Sequence, residues 1–270
     1  MKAKLNVSQD GVITLVEQLE VVEGVTIPRG FKYIEGTVET GLVIENKTDK
    51  NQFVWVPKNV SAYNAEESYE ESGYTEEKEE FDAMVASVEK YGGFYIGRYE
   101  ASLSEDGKAQ SIAGVYPCDN LKWGDSMTDI NGNGAAGKAR AVYPASKATT
   151  EGDAVSTLVY GSQWNATVSW LDTKYSDVSS DSTGYGNYGE VDQETGAPLG
   201  GTLKMTGSNP SYALNNIYDM AGNIAEWTME VYHDTYRAGR GGIYYDTPTG
   251  LPLGSYCENP GGFRIALYMI

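Results

Sequence analysis

One histidine, His233, and two cysteines, Cys118 and Cys257, supply the only imidazole and thiol groups among the 270 residues. A two-histidine iron site cannot be built from one histidine, and no Gly-x-Ser-x-Gly turn is present to carry a serine nucleophile. The cysteines lie far apart in the chain, which leaves one disulfide and two separate thiols both open. Basic residues are scarce, 20 against 38 acidic ones, for a formal charge of −18. Such a field repels phosphate backbones and anionic membranes, so nucleic acid is excluded as a partner. No apolar run approaches the roughly 18 residues of a membrane span, which argues against membrane insertion. The opening MKAKLNVSQDGVITL meets Gln9 and Asp10 before any adequate apolar stretch, so it does not read as a signal peptide.

Glycine (32) and tyrosine (21) are abundant instead. Glycine permits turns, and tyrosine offers apolar area with a polar tip, a combination suited to loops and contact surfaces. Residues 1–27 alternate around Val12, Thr14 and Val16, then Val21, Val22 and Val25. They predict a short β-rich extension ending at Pro28, which either packs on the main domain or mediates docking and oligomerisation. Phe53-Val-Trp-Val-Pro57 reads as a buried strand and the acidic stretch Glu66 to Glu80 as a solvated loop. Phe81, Met84, Val85 and Val88 recur at helical spacing up to Gly92-Gly93, and a strand follows at 94–102. Residues 103–157 look irregular. A second helix carries Trp164, Val168 and Leu171, with Ser162 as its cap. Residues 175–212 form a long polar loop. Two helices amid short strands and large loops, with no repeated βαβ unit, indicate an α+β fold.

The most informative stretch is Asn216-Ile-Tyr-Asp-Met-Ala-Gly-Asn-Ile-Ala-Glu-Trp227, followed by Arg240-Gly241-Gly242 and Gly262-Phe263-Arg264. In this order, with VWVP and FYIGRYEAS upstream, these segments resemble the formylglycine-generating-enzyme family of domains over roughly residues 50–270. That family also includes ergothioneine-synthesis oxygenases. The resemblance implies a C-type-lectin-like fold over 28–270, a twisted antiparallel sheet with two helices and long loops. It also implies a calcium under the Gly-Asn-x-x-Glu turn, held by the side chains of Asp219 and Glu226 and the carbonyls of Gly222 and Ile224. No cofactor beyond that structural calcium is expected. The family's oxidases hold copper with a cysteine pair in the last segment, where this chain has only Cys257, and its oxygenases need several histidines. A divergent metal-dependent oxidase is therefore the second reading, behind a non-enzymatic binder. Lectin sugar motifs are missing: Glu258-Asn259-Pro260 is in the wrong order, and no Trp-Asn-Asp occurs. Asp129–Gly134 has calcium-loop spacing, but Arg140 stands where the closing acid belongs, so it reads as a polar turn.

Between Val231 and Gly262 there is no Lys, Gln, Met or Trp, and Glu258 is the one glutamate. These are the residues that randomising both adenines of an asparagine codon cannot produce. The window resembles the variable proteins of diversity-generating retroelements, which carry a lectin-like fold with rewritten C-terminal loops and bind protein targets. The resemblance implies a protein or cell-surface target, and a place on a phage tail tip or a bacterial surface. The expected contact residues are Tyr232, His233, Asp234, Ile243, Tyr244, Tyr245, Asp246, Leu251, Leu253 and Tyr256. They should be exposed on one face, above Trp227, Phe263 and Ile265.

Overall fold

The computed structural model describes residues 3–7, 13–58, 75–126, 128–190, 192, 194–195, 199–232, 236–257 and 260–270. The side chains of residues 3–7, 13–17, 75, 76 and 232 lie outside this description. The N-terminal hairpin β1 (Ala3–Val7) and β2 (Ile13–Glu17) is followed by a smaller one, β3 (Val21–Val22) and β4 (Val25–Thr26). Val25 and Ile27 are buried in the main core, and the Tyr95 hydroxyl donates to the Thr26 carbonyl.

Next come β5 (Phe31–Glu35), β6 (Val43–Asn46), β7 (Gln52–Pro57), α1 (Thr75–Tyr91) and β8 (Gly93–Gly97). A short hairpin, β9 (Ser102–Leu103) and β10 (Ala109–Gln110), leads to α2 (Ala135–Arg140), β11 (Ala154–Leu158) and α3 (Gly161–Asp172). The remaining strands are β12 (Ala213–Leu214), β13 (Ile217–Tyr218), β14 (Glu226–Tyr232), β15 (Tyr236–Arg240), β16 (Tyr256–Cys257), β17 (Gly262–Phe263) and β18 (Ile265–Met269).

Six strands form one antiparallel sheet in the order β11-β18-β8-β7-β6-β5. Phe53 to Val56 in β7, all of β8 and all of β18 are buried, which explains why these strands read as unbroken apolar runs rather than alternating ones. Helix α1 packs on β8 and β18, and α3 on β7 and β14. A second sheet, β16-β15-β14-β17, pairs β14 with β17 in parallel and carries the 216–264 motif. The large sheet is antiparallel throughout and no βαβ unit repeats, so the fold is α+β.

The α1 prediction holds at its apolar stripe: Phe81, Met84 and Val88 are buried, and the Gly92 amide closes the last turn on the Val88 carbonyl. Its start needs correction. Glu77 and Glu80 belong to the helix rather than to a solvated loop, and Glu77 is buried against Arg237. Glu80 pairs with Arg140 and also accepts from the Tyr160 hydroxyl. Acidic side chains in a first turn also suit the helix dipole. Residues 66–74 of the acidic stretch lie outside the described residues. The start of α3 is corrected as well. Tyr160, not Ser162, is the cap residue, and its amide donates to the Gln163 side chain. Ser162 points inward and is buried. The stretch 103–157 is less irregular than expected, since it holds α2 and the edge strand β11.

Candidate binding surface

The turn between β13 and β14 is built from residues that tolerate a left-handed backbone. Asp219 and Asn223 have positive φ there, as do Asn215 and Asn216 in the tight turn before β13, and Asn and Asp adopt it at low cost. Gly222 has φ +73°, and a Cβ there would lie 2.4 Å from the Asn187 carbonyl oxygen, so no side chain fits. Asn223 is the hub. Its oxygen accepts from Asn187 Nδ2 and the Lys204 amide, and its Nδ2 donates to Glu100. Glu100 also accepts from the Ile224 amide at 3.1 Å. These bonds fasten Asn187 and Lys204 to the turn.

Below the turn lies Arg264, fully buried. It donates to both oxygens of Glu226, at 3.1 and 2.6 Å, and to the carbonyls of Gly97, Tyr218 and Asp219. Asp219 accepts from the Thr206 hydroxyl and the Gly207 amide. The side chains expected to hold calcium are thus occupied by protein donors, and a guanidinium supplies the positive charge. Among the described residues, no group of three or more His, Cys, Asp or Glu side chains is placed to hold a metal ion. Arg264 therefore already neutralises Glu226 in this turn. Excess chelator is expected to leave the melting temperature unchanged. An ion bound only to the folded state would stabilise it, so a clear fall in Tm would return calcium to this turn.

Three carboxyl groups, Glu100, Asp219 and Glu226, share this one buried guanidinium. Burial pushes the Glu100 carboxyl well above the ordinary range, and the neighbouring Asp219 and Glu226 push it the same way. Burial also raises Asp219, against the bonds from Gly207 and Thr206. A carboxyl whose folded pKa is raised favours the folded state below its unfolded pKa, about 4.3 for Glu, and loses that contribution as pH rises through the folded value. Stability should therefore fall from weakly acidic to neutral and alkaline pH. Thermal melts of the wild type and of Glu100→Gln across this range test it, and the variant should show a flatter slope. Parallel slopes would assign the effect to the overall charge.

The small sheet is locked by a second buried pair. Arg240 donates to both oxygens of Glu230 and to Asn165 and the Gly254 carbonyl. Its guanidinium lies 3.9 Å from the Tyr256 ring centroid. The Tyr256 hydroxyl donates to Glu230 at 2.6 Å, and burial together with that carboxylate pushes its pKa up to about 12. Tyr256 is 45% exposed yet held by Arg240 and Glu230, a stiff aromatic contact.

The expected contact residues separate into groups. Tyr245 and Tyr256 are exposed, and Tyr244, Asp246 and Leu251 are half-buried. Ile243 and Leu253 are buried, which corrects the expectation. Ile243 joins Ile224 and Ala225 in a small second core. Leu253 belongs to the main core, its carbonyl accepting from Trp164 Nε1 and its amide donating to Ser182. His233, Asp234 and the Tyr232 side chain lie outside the described residues. Tyr236, one more tyrosine of the window, is 68% exposed and adds a contact candidate to the ten. Nor do the exposed tyrosines share one sheet face. Tyr256 pairs with Arg240 on the side of Tyr236, whereas Cys257 turns to the opposite side, toward Ile224, Ile243 and Tyr245. They straddle the edge strand β16. Phe263 and Ile265 are buried as expected, and Trp227 is half-buried with its indole donating to the Leu121 carbonyl.

No disulfide joins Cys118 and Cys257. Burial pushes the Cys118 thiol up to about 11, which keeps it protonated and weakly nucleophilic at neutral pH. No helix among the described residues is long and apolar enough to cross a membrane. No protein-family model matches the chain, and no curated protein matches it.

Proposed function

We propose that this chain is a non-enzymatic ligand-binding protein with a C-type-lectin-like fold, displayed on a phage tail tip or a bacterial surface. In this reading, loops between 231 and 262 vary from copy to copy and meet a protein or cell-surface target. One observation carries it: the exposed Tyr256 is held against the buried Arg240–Glu230 pair, and Tyr236 and Tyr245 are exposed in the same window. A rigid frame under adaptable aromatic loops lowers the ordering cost of binding. The N-terminal extension offers a route to oligomers. Oxygen-dependent turnover lost in Cys257→Ser would favour the oxidase alternative instead.

The test is a pair of displayed libraries. Tyr236, Tyr244, Tyr245, Asp246 and Leu251 are randomised in one, Ile243 and Leu253 in the other. Surface substitutions usually stay within about 0.5 kcal/mol each, so most clones of the first library should remain protease-resistant. Truncating a buried Leu or Ile costs about 2–5 kcal/mol, so most clones of the second should not. The first library should also yield binders to immobilised proteins. Equal survival of the two libraries, or no binder from the first, would remove the proposal. The matching genetic expectation is a near-copy of the coding segment for 231–262, differing mainly at adenines, beside a reverse transcriptase.

A further inference from the structure

We propose that Tyr244, Tyr245 and Leu199, edged by Glu190, Glu194 and Asp246, form a docking surface for a cationic protein partner that offers Arg or Lys side chains. This rests on the ligand-binding reading and adds the chemistry of the partner, together with a second loop. Residues 189 and 201 lie against the 244–246 loop. The Gly189 amide donates to the Asp246 carbonyl, Leu199 and Glu190 are tied to each other's ribbon through Leu199 N to Glu190 O and Glu190 N to Gly200 O, and Gly201 sits so close to the Tyr244 carbonyl that a Cβ would lie 2.0 Å from its oxygen. Leu199 is 62% exposed and Tyr245 47%. The rings of Tyr244 and Tyr245 meet edge to face at 5.1 Å, presenting a fixed aromatic surface.

Charge decides what can land there. Between Tyr175 and Ile270 the chain has eleven acidic residues and four basic ones, Lys204, Arg237, Arg240 and Arg264. The three arginines are buried in ion pairs with Glu77, Glu230 and Glu226. Lys204 is turned over the ring of Tyr212. Glu190 and Glu194 are exposed, and Asp246 is half-buried beside the tyrosines. An anionic surface would be repelled on approach, and a neutral apolar one would strip water from these carboxylates without replacing it. A guanidinium or ammonium stacks on tyrosine faces and pairs with carboxylates at the rim. The net charge of −18 steers such a partner inward.

The probe is a Gly/Ser peptide carrying several arginines, compared with the same peptide in citrulline form, which keeps the planar shape and loses the charge. Fluorescence anisotropy at low salt reads the binding. The arginine peptide should bind, and the citrulline peptide should bind roughly tenfold more weakly or not at all. Glu190→Gln, Glu194→Gln and Asp246→Asn together should weaken the arginine peptide by roughly tenfold, since exposed ion pairs are individually small. Tyr245→Ala with Leu199→Ser should weaken it to a similar degree. Neutralising Glu39, Glu79 and Glu105, three exposed acids on other elements, removes the same charge and should change binding by less than about twofold. If that control weakens binding as much as the patch variant, or the patch variant binds unchanged, the proposal is overturned. Libraries that yield binders only to neutral or acidic proteins would leave the ligand-binding reading standing and remove the cationic partner.

Discussion

Replacing Arg264 with methionine is expected to leave little cooperatively folded protein. The guanidinium is wholly buried, pairs with Glu226 and lies close to Glu100 and Asp219. Breaking a buried ion pair by removing one partner costs about 3–5 kcal/mol. The carbonyls of Gly97, Tyr218 and Asp219 would also lose a donor, at about 1–3 kcal/mol for each one left unsatisfied. A domain has only about 5–15 kcal/mol in total. Urea titration followed by circular dichroism reads the result, and a midpoint close to wild type would refute the account. Arg264→Lys should fall between the two, because an ammonium keeps the charge but cannot form the two parallel bonds to Glu226. Changing Glu226 to methionine alongside Arg264→Met should recover part of the loss, since an apolar pair can stand in for a buried ionic one.

Arg237→Ser should also be severe, although residue 237 lies inside the segment expected to vary. Its guanidinium pairs with both oxygens of Glu77, donates to the Met229 carbonyl at 2.7 Å, and lies 3.9 Å from the Trp123 ring centroid. Both members of the pair are almost completely buried. The loss should again be about 3–5 kcal/mol, because Glu77 would keep a buried charge without a partner. Glu77→Ala should cost a similar amount. A sharper check is a library randomised at 237 and selected for protease resistance, from which arginine should return almost alone. A broad set of survivors would mean that α1 is not anchored through this contact.

Helix α1 and strands β7 and β8 were legible because periodicity and unbroken apolar runs are local signals. The ion pairs were not. Glu77 meets Arg237 across 160 positions, and a sequence shows an acidic residue without showing what covers it. Glu77 and Glu80 therefore read as part of a solvated run. Glu100, in the YEAS segment, likewise gave no sign that it would close on Asn223 and Ile224. The motif placed Asp219, Gly222, Ile224 and Glu226 in one turn, but spacing cannot tell whether a metal or an arginine neutralises the acids. Ile243 and Leu253 were misplaced for a related reason. Both lie in a loop, and loop membership suggests exposure. This loop folds back on α3 and on Ser179, Ser182, Gly189 and Leu203, and it buries one hydrophobic residue on each side of Tyr244–Asp246.

The place of β18 in the large sheet bears on how the protein is made. Residues 265–269 slot between β8 and β11, strands far earlier in the chain, and neither β8 nor β11 has its full set of partners until β18 arrives. On a ribosome the first two thirds of the sheet would emerge with an open edge at β8, its backbone donors and acceptors unpaired and its apolar faces uncovered. Such an edge recruits other strands, which favours off-pathway association while synthesis continues. Closure must await nearly the whole domain, and contacts between residues so distant in sequence form slowly. Low temperature or holdase chaperones during expression would therefore raise the yield by protecting that interval, and not by changing the stability of the finished fold.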